Sequence, residues 1–158
     1  MEKDSAAVGD VLAYSINLTN NHTDALYAGR IIDQLPYSFR YINDSAWLDV
    51  GGQRVEMPDP AGRPGPQLTF RLERERSNGS VVALPLQAGE TVTLHYGLRL
   101  SAGAVDSDGI NRATAQANTA SGFTYRSNQD EAEVEIRNEG VLSDKAMLFG
   151  KVYVDADC

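Results

Sequence analysis

The chain has 158 residues, 42% of them hydrophobic and 23% charged, a composition that fits an ordinary globular domain and excludes a disordered or membrane-embedded segment. Its 14 Lys and Arg against 22 Asp and Glu give a net charge of -8, which argues against nucleic acid and against anionic membrane surfaces as partners. One cysteine, Cys158, excludes an internal disulfide framework, and two histidines, His22 and His95, leave little for histidine-based metal or acid–base chemistry.

Met1-Glu2-Lys3-Asp4 has neither the basic start nor the apolar stretch of a signal peptide. The turn Gly9-Asp10 leads into Val11 to Asn20, where Leu12, Tyr14, Ile16 and Leu18 alternate with small and polar residues. A period of two marks a half-buried strand. Weaker strands are predicted over Leu26–Asp33, Phe39–Ile42 and Ala46–Val50, the last followed by the turn Gly51-Gly52. The stretch Pro58 to Pro66 holds four prolines and two glycines, so it reads as a surface loop. Leu68, Phe70 and Leu72 alternate again, and Val81–Leu86 is a further weak strand. Ala88-Gly89-Glu90 then introduces Thr91 to Leu100, whose Val92, Leu94, Tyr96, Leu98 and Leu100 share one face. Turns before both long strands call for a residue that tolerates positive φ. Tyr14 and Tyr96 lie on apolar faces, so each hydroxyl needs a partner inside the protein. Asn111–Asn118 and Phe123–Tyr125 are weak strands, and Glu131–Arg137 alternates clearly, with Ala132, Val134 and Ile136 on one side. Many short strands with no convincing helix predict an all-β antiparallel sandwich. Beyond Asn138-Glu139-Gly140 the pattern changes, and Gly150 to Asp155 begins a new strand that runs to the end of the sequence. The expected organisation is therefore a domain over 1–138, with 139–158 a linker and the truncated first strand of a following module, the whole being a segment of something larger.

One ordered series of motifs resembles a known family. Lys3 stands upstream of Val8-Gly9-Asp10 and Tyr14-Ser15-Ile16-Asn17-Leu18-Thr19-Asn20. There follow Asp33-Gln34-Leu35-Pro36, Phe39-Arg40-Tyr41-Ile42 with Asp44-Ser45-Ala46, Leu86 to Tyr96, and Gly109-Ile110-Asn111-Arg112-Ala113. Over residues 3 to 137 the chain resembles the bacterial conserved-repeat surface domain, domain of unknown function eleven. Phe149 to Asp157 resembles the opening of an SdrD B-like or Cna B-type module. The resemblance implies an immunoglobulin-like sandwich acting as a non-catalytic spacer in a large bacterial cell-surface or secreted protein, placed outside the cell and supporting adhesion. Its partners would be neighbouring domains of the same polypeptide, with a glycan or surface protein as a further partner. The alternative is an adhesin module that grips a glycan or protein through its loops. No membrane insertion by this segment is expected, since no apolar run approaches the roughly 20 residues that span a bilayer.

Candidate chemistry is sparse. Related surface domains form Lys–Asn isopeptide bonds, which need an unprotonated lysine, an asparagine amide and a buried carboxyl; burial moves both pKa values the required way. Lys3 is the candidate amine, Asn111 or Asn118 the amide, and Asp33 the acid, although nothing local ties them together. Asp106-Ser107-Asp108-Gly109 has the spacing of a calcium-loop start, but Ile110, Asn111 and Arg112 supply no further carboxylates, so it reads as a turn. Asp155 and Asp157 share that spacing, and a calcium site there would need residues beyond Cys158; no cofactor is expected otherwise. Tyr37, Tyr41 and Trp47 make the most aromatic stretch, a candidate binding platform whose commoner fate is core packing. Glu73 with Glu75, and Glu131 with Glu133 and Glu135, fall at period-two spacing on solvent faces, which is no place for an acid–base pair. With no nucleophile elbow either, the chain is not expected to be an enzyme.

Overall fold

The computed structural model describes residues 5–138 and the strand Met147–Ala156. The first part of the chain forms β1 (Ser5–Ala7), β2 (Val11–Asn20), β3 (Tyr27–Gln34), β4 (Phe39–Tyr41), β5 (Trp47–Val50) and β6 (Gln53–Glu56). After the proline-rich loop come β7 (Gln67–Arg71), β8 (Glu73–Glu75), β9 (Val81–Ala83) and β10 (Thr91–Leu100). The remainder is β11 (Ile110–Asn118), β12 (Thr124–Arg126), β13 (Asp130–Glu133), β14 (Glu135–Arg137) and β15 (Met147–Ala156). Among the described residues the helical structure is one 3-10 turn, Ala102–Asp106, and no helix is long and apolar enough to cross a membrane.

The two strongest alternations become the two longest strands of one sheet. β2 and β10 pair antiparallel from Arg99 opposite Val11 to Thr91 opposite Thr19. Their inward residues, among them Leu12, Ile16, Leu94 and Leu98, are fully buried. This sheet has the order β15-β2-β10-β5-β6, with β4 also paired to β10. The second sheet has the order β12-β11-β3-β7, with β13 also on β11. Ile31, Leu68 and Phe70 face the first sheet across one core, and β11 contributes only small apolar side chains to it, Ala113, Ala115 and Ala117. Each large apolar side chain buried in this way stabilises the fold by about 1.5–3 kcal/mol. The architecture is an antiparallel β-sandwich, as predicted, with two parallel additions. β1 runs beside β14, Ser5 to Ala7 opposite Glu135 to Arg137. β15 runs beside β2, Met147 opposite Val11 and Ala156 opposite Asn20.

The turns before the long strands have the predicted geometry: Gly9 has φ 93° and Gly89 has φ 75°. Asp10 fixes the first of them, its Oδ2 accepting from the Ala7 N–H at 2.9 Å. Three elements differ from expectation. Glu131–Arg137 is two strands, because Val134 turns into the core and donates its N–H to the Gly109 carbonyl as the chain changes partner from β11 to β1. The predicted Val81–Leu86 strand shrinks to β9; Leu84 and Leu86 donate instead to the carbonyls of Leu72 and Leu26. β6 has no apolar period, since Val55 is the one buried residue of four, and polar side chains are what an edge strand tolerates. Half of the expected linker and following strand over 139–158 falls outside the described residues; the half described, Met147–Ala156, lies along β2.

Candidate functional site

Three polar side chains meet inside the apolar core. Asp33 on β3 faces inward two residues after Ile31, and its cross-strand partner is Ala113 on β11. Period two then puts Asn111 on the same inward face, one pair further along. Tyr96 reaches them from β10 of the opposite sheet. Its hydroxyl donates to Asp33 Oδ2 at 2.6 Å and accepts from Asn111 Nδ2 at 2.8 Å. Asp33 and Asn111 are 0% exposed and Tyr96 is 2% exposed. The alanines of β11 leave room for the Tyr96 ring, which packs 4.9 Å from Phe70 and 5.8 Å from Tyr14 between ring centres.

Two acceptors in this cluster lack partners among the described residues: Asp33 Oδ1 and Asn111 Oδ1. Each buried polar atom left in this way costs about 1–3 kcal/mol. With Asp33 ionised, the cluster therefore has a deficit of donors. Burial pushes the Asp33 carboxyl up to about 7, against the opposing pull of hydrogen bonds from Tyr96 and Asn111. The same burial, with Asp33 beside it, holds the Tyr96 hydroxyl well above its ordinary range, so Tyr96 stays a donor. A carboxyl poised near neutrality can both take and return a proton. Tyr96→Phe would leave Asp33 Oδ2 and Asn111 Nδ2 unpaired as well; a loss of about 2 kcal/mol in urea denaturation is the expected result.

Of the predicted site residues, the fold brings Asp33 and Asn111 together and puts Tyr96 between them. The sequence marks Tyr96 only as a tyrosine needing an inside partner. Lys3 lies outside the described residues. Asn118 is at the far end of β11, where its Oδ1 accepts from Thr124 Oγ1 at 2.9 Å. Tyr37, Tyr41 and Trp47 do not form one platform. Tyr37 is 67% exposed, whereas Tyr41 is buried, its hydroxyl donating to Asp59 Oδ1 at 2.8 Å and accepting from the Ala46 N–H at 3.2 Å. Asp59 also takes Arg63 at 2.8 Å and the Asp44 N–H at 2.9 Å, which pins the proline-rich loop. Trp47 is half-buried. The His95 ring of β10 stacks on it at 4.0 Å and 11°, and the Arg54 guanidinium of β6 lies 4.7 Å from its centre. These two strands flank β5, so the indole is covered on both faces. Burial lowers the His95 pKa, with the Asp49 charge opposing.

The side-chain oxygens of Ser107 and Asp108 are occupied by the turn itself. Asp108 accepts from the Ile110 N–H at 3.0 Å and from Arg112 at 3.1 Å, and Ser107 Oγ accepts from the Gly109 N–H at 3.1 Å. Among the described residues no three His, Cys, Asp or Glu side chains are grouped to hold a metal ion. Asp155 belongs to β15, and Asp157 lies outside the described residues.

No family model matches the chain, and no curated protein matches it in sequence. Among solved structures the chain is similar to the collagen-binding subdomain of the Enterococcus faecalis surface protein ACE, at 6% identity and a TM-score of 0.35, over 80% of this chain and 96% of that one. It is also similar to the collagen-binding domain of the Erysipelothrix rhusiopathiae surface protein RspB, at 13% identity and a TM-score of 0.35, over 84% of this chain and 40% of that one. A third is AvmM, which catalyses macrocyclization in alchivemycin A biosynthesis, at 12% identity and a TM-score of 0.37, over 100% of this chain and 86% of that one. What those proteins bind or catalyse belongs to them.

Proposed function

We propose that the chain is a structural module that spaces or presents other domains in a bacterial cell-surface or secreted protein, and that it locks itself by a covalent bond between Lys3 and Asn111. The observation that carries this reading is the sealed pair Asp33 and Asn111, each with an Oδ1 that lacks a donor. A lysine is the side chain that brings up to three donors on one atom. Lys3 precedes Ser5 by two residues, a span of up to about 7 Å. β1 lies beside β14, and β14 follows β13, which pairs with β11 at Ala132 opposite Asn111.

The chemistry balances within the chain. The reaction needs Lys3 as a neutral amine, the form that an apolar setting favours. Its Nζ attacks Asn111 Cγ and forms the new C–N bond. Asp33 takes the proton from Nζ and passes it to Nδ2. The Cγ–Nδ2 bond breaks, ammonia leaves, and Asp33 returns to its starting state. Nothing is oxidised, and the chain reacts once on itself without turning over a substrate, in keeping with a non-enzymatic module.

The alternative, an adhesin module gripping a glycan or protein through loops, asks for an open aromatic platform. The covered Trp47 and the buried Tyr41 support the spacer instead. In this reading residues 5–138 and the strand β15, which lies along β2, form the module, and the partners are neighbouring domains of the same polypeptide. The test is the intact mass of the denatured, reduced protein. The expected result is a deficit of one ammonia, abolished in Asp33→Asn. A full, unmodified mass in the parent chain overturns the crosslink.

A further inference from the structure

The outer face of the second sheet carries a row of arginines that no single stretch of sequence shows. Arg71 on β7 is opposite Arg30 on β3, Arg30 is opposite Gln116 on β11, and Gln116 is opposite Arg126 on β12. At about 4.8 Å between strands this row crosses roughly 14 Å of the sheet. Its members point away from the core, since the neighbouring Phe70, Ile31, Ala115 and Ala117 point into it. Gln116 Oε1 accepts from Arg30 Nη2 at 2.6 Å and from Nε at 3.2 Å, which lays that guanidinium along the row. A cleft of about 230 Å³ opens between Arg30 and Arg71, with Glu73 at its edge.

Glu73 is the carboxylate that lines this cleft, and it makes no ion pair with the row. Other arginines have acidic partners: Arg54 with Glu56, Arg63 with Asp59, and Arg112 with Asp108 and Glu131. Among the described residues no carboxylate lies within ion-pair distance of Arg30, Arg71 or Arg126. Like charges directly opposite on neighbouring strands destabilise a sheet, and Arg71 and Arg30 are such a pair. One flanking row, Thr69, Ile32 and Thr114, is uncharged; the other holds Asn118 and Thr124, with Glu73 two residues after Arg71. Planar guanidinium forks match carboxylate and sulfate groups with two parallel hydrogen bonds. Hydroxyl and amide side chains beside them match the hydroxyls of a sugar chain.

We infer that this row is a binding surface for an acidic polysaccharide, its carboxylate or sulfate groups seated on Arg71, Arg30 and Arg126. The inference is independent of the crosslink, because no member of the row belongs to the buried cluster. The test is binding of the full chain to immobilised polygalacturonate and dextran sulfate, with neutral dextran and duplex DNA alongside, at low and physiological salt. The expected result is binding to one or both acidic polysaccharides and not to dextran, with the polymer retained identifying the anion. Arg30→Gln/Arg71→Gln/Arg126→Gln should weaken it by about tenfold or more, each tenfold being about 1.4 kcal/mol, and flatten its salt dependence. Arg54→Gln/Arg63→Gln/Arg112→Gln removes the same charge and should keep it. The inference is overturned by failure to bind either acidic polymer, by equal loss in both triple variants, by unchanged binding in the first, or by DNA binding that depends equally on the row.

Discussion

Lys3→Ala is expected to lower the unfolding free energy by about 5 kcal/mol, the entropy that closing a loop of about 100 residues removes from the unfolded chain. An amide between residues 3 and 111 closes a loop of that size, linking the start of the chain to β11. The loss would be read in guanidinium denaturation as a shifted midpoint. Lys3→Arg is the informative companion: it keeps a cation and removes the nucleophile, so it should lose as much as the alanine variant. A Lys3→Arg chain that unfolds with the parent would show that the ends are not joined.

The second large effect is a pH dependence, best read in the Lys3→Ala chain, where no bond to Asn111 forms beside Asp33. Its folded carboxyl is raised to about 7 by burial, while an unfolded aspartate titrates near about 4. The folded state therefore holds more protons than the unfolded state between these values. Stability from this group is complete below the unfolded value, falls as pH rises through neutrality, and is gone above it. The gap between the two values corresponds to roughly 4 kcal/mol. Asp33→Asn removes the titrating group and keeps an acceptor for the Tyr96 hydroxyl. In the Lys3→Ala background, the stability of Asp33→Asn relative to the aspartate chain should rise by about 4 kcal/mol between pH 4 and pH 8. The difference isolates Asp33 from other carboxyls such as Asp108, which its bonds to the Ile110 N–H and Arg112 hold below the ordinary range and which acts in the opposite sense. A difference that stays flat across that range would mean that Asp33 is not the sealed group the core makes it.

Local pattern accounts for much of the sandwich. β2 and β10 are legible to the residue because each has one buried and one wet face, and such strands write their burial as alternation. The break at Val134 is not, because both halves of Glu131–Arg137 keep the same period while changing partner. Asp33 and Asn111 stand out in the sequence only through a family resemblance, and their meeting depends on the register of β3 against β11. Tyr96 lies 63 residues from Asp33 and 15 from Asn111, and it closes the cluster from another sheet. Their contact is a property of two sheets stacked, which no spacing along the chain encodes. The arginine row has the same origin: four strands contribute one residue each, and a register slip by one would scatter it.

The parallel placement of the outermost strands has a consequence for load. β1 opens the described chain and runs in the same direction as β14, and β15 runs in the same direction as β2 over ten residues. Without the Lys3–Asn111 bond, a pull applied to the two ends of the polypeptide draws each such pair along its length in opposite senses; with it, the β15–β2 pair alone is loaded this way. The inter-strand bonds are then sheared together, whereas a hairpin pulled apart at its open end peels one bond at a time. A module strung between neighbours would take tension in its stiffest direction.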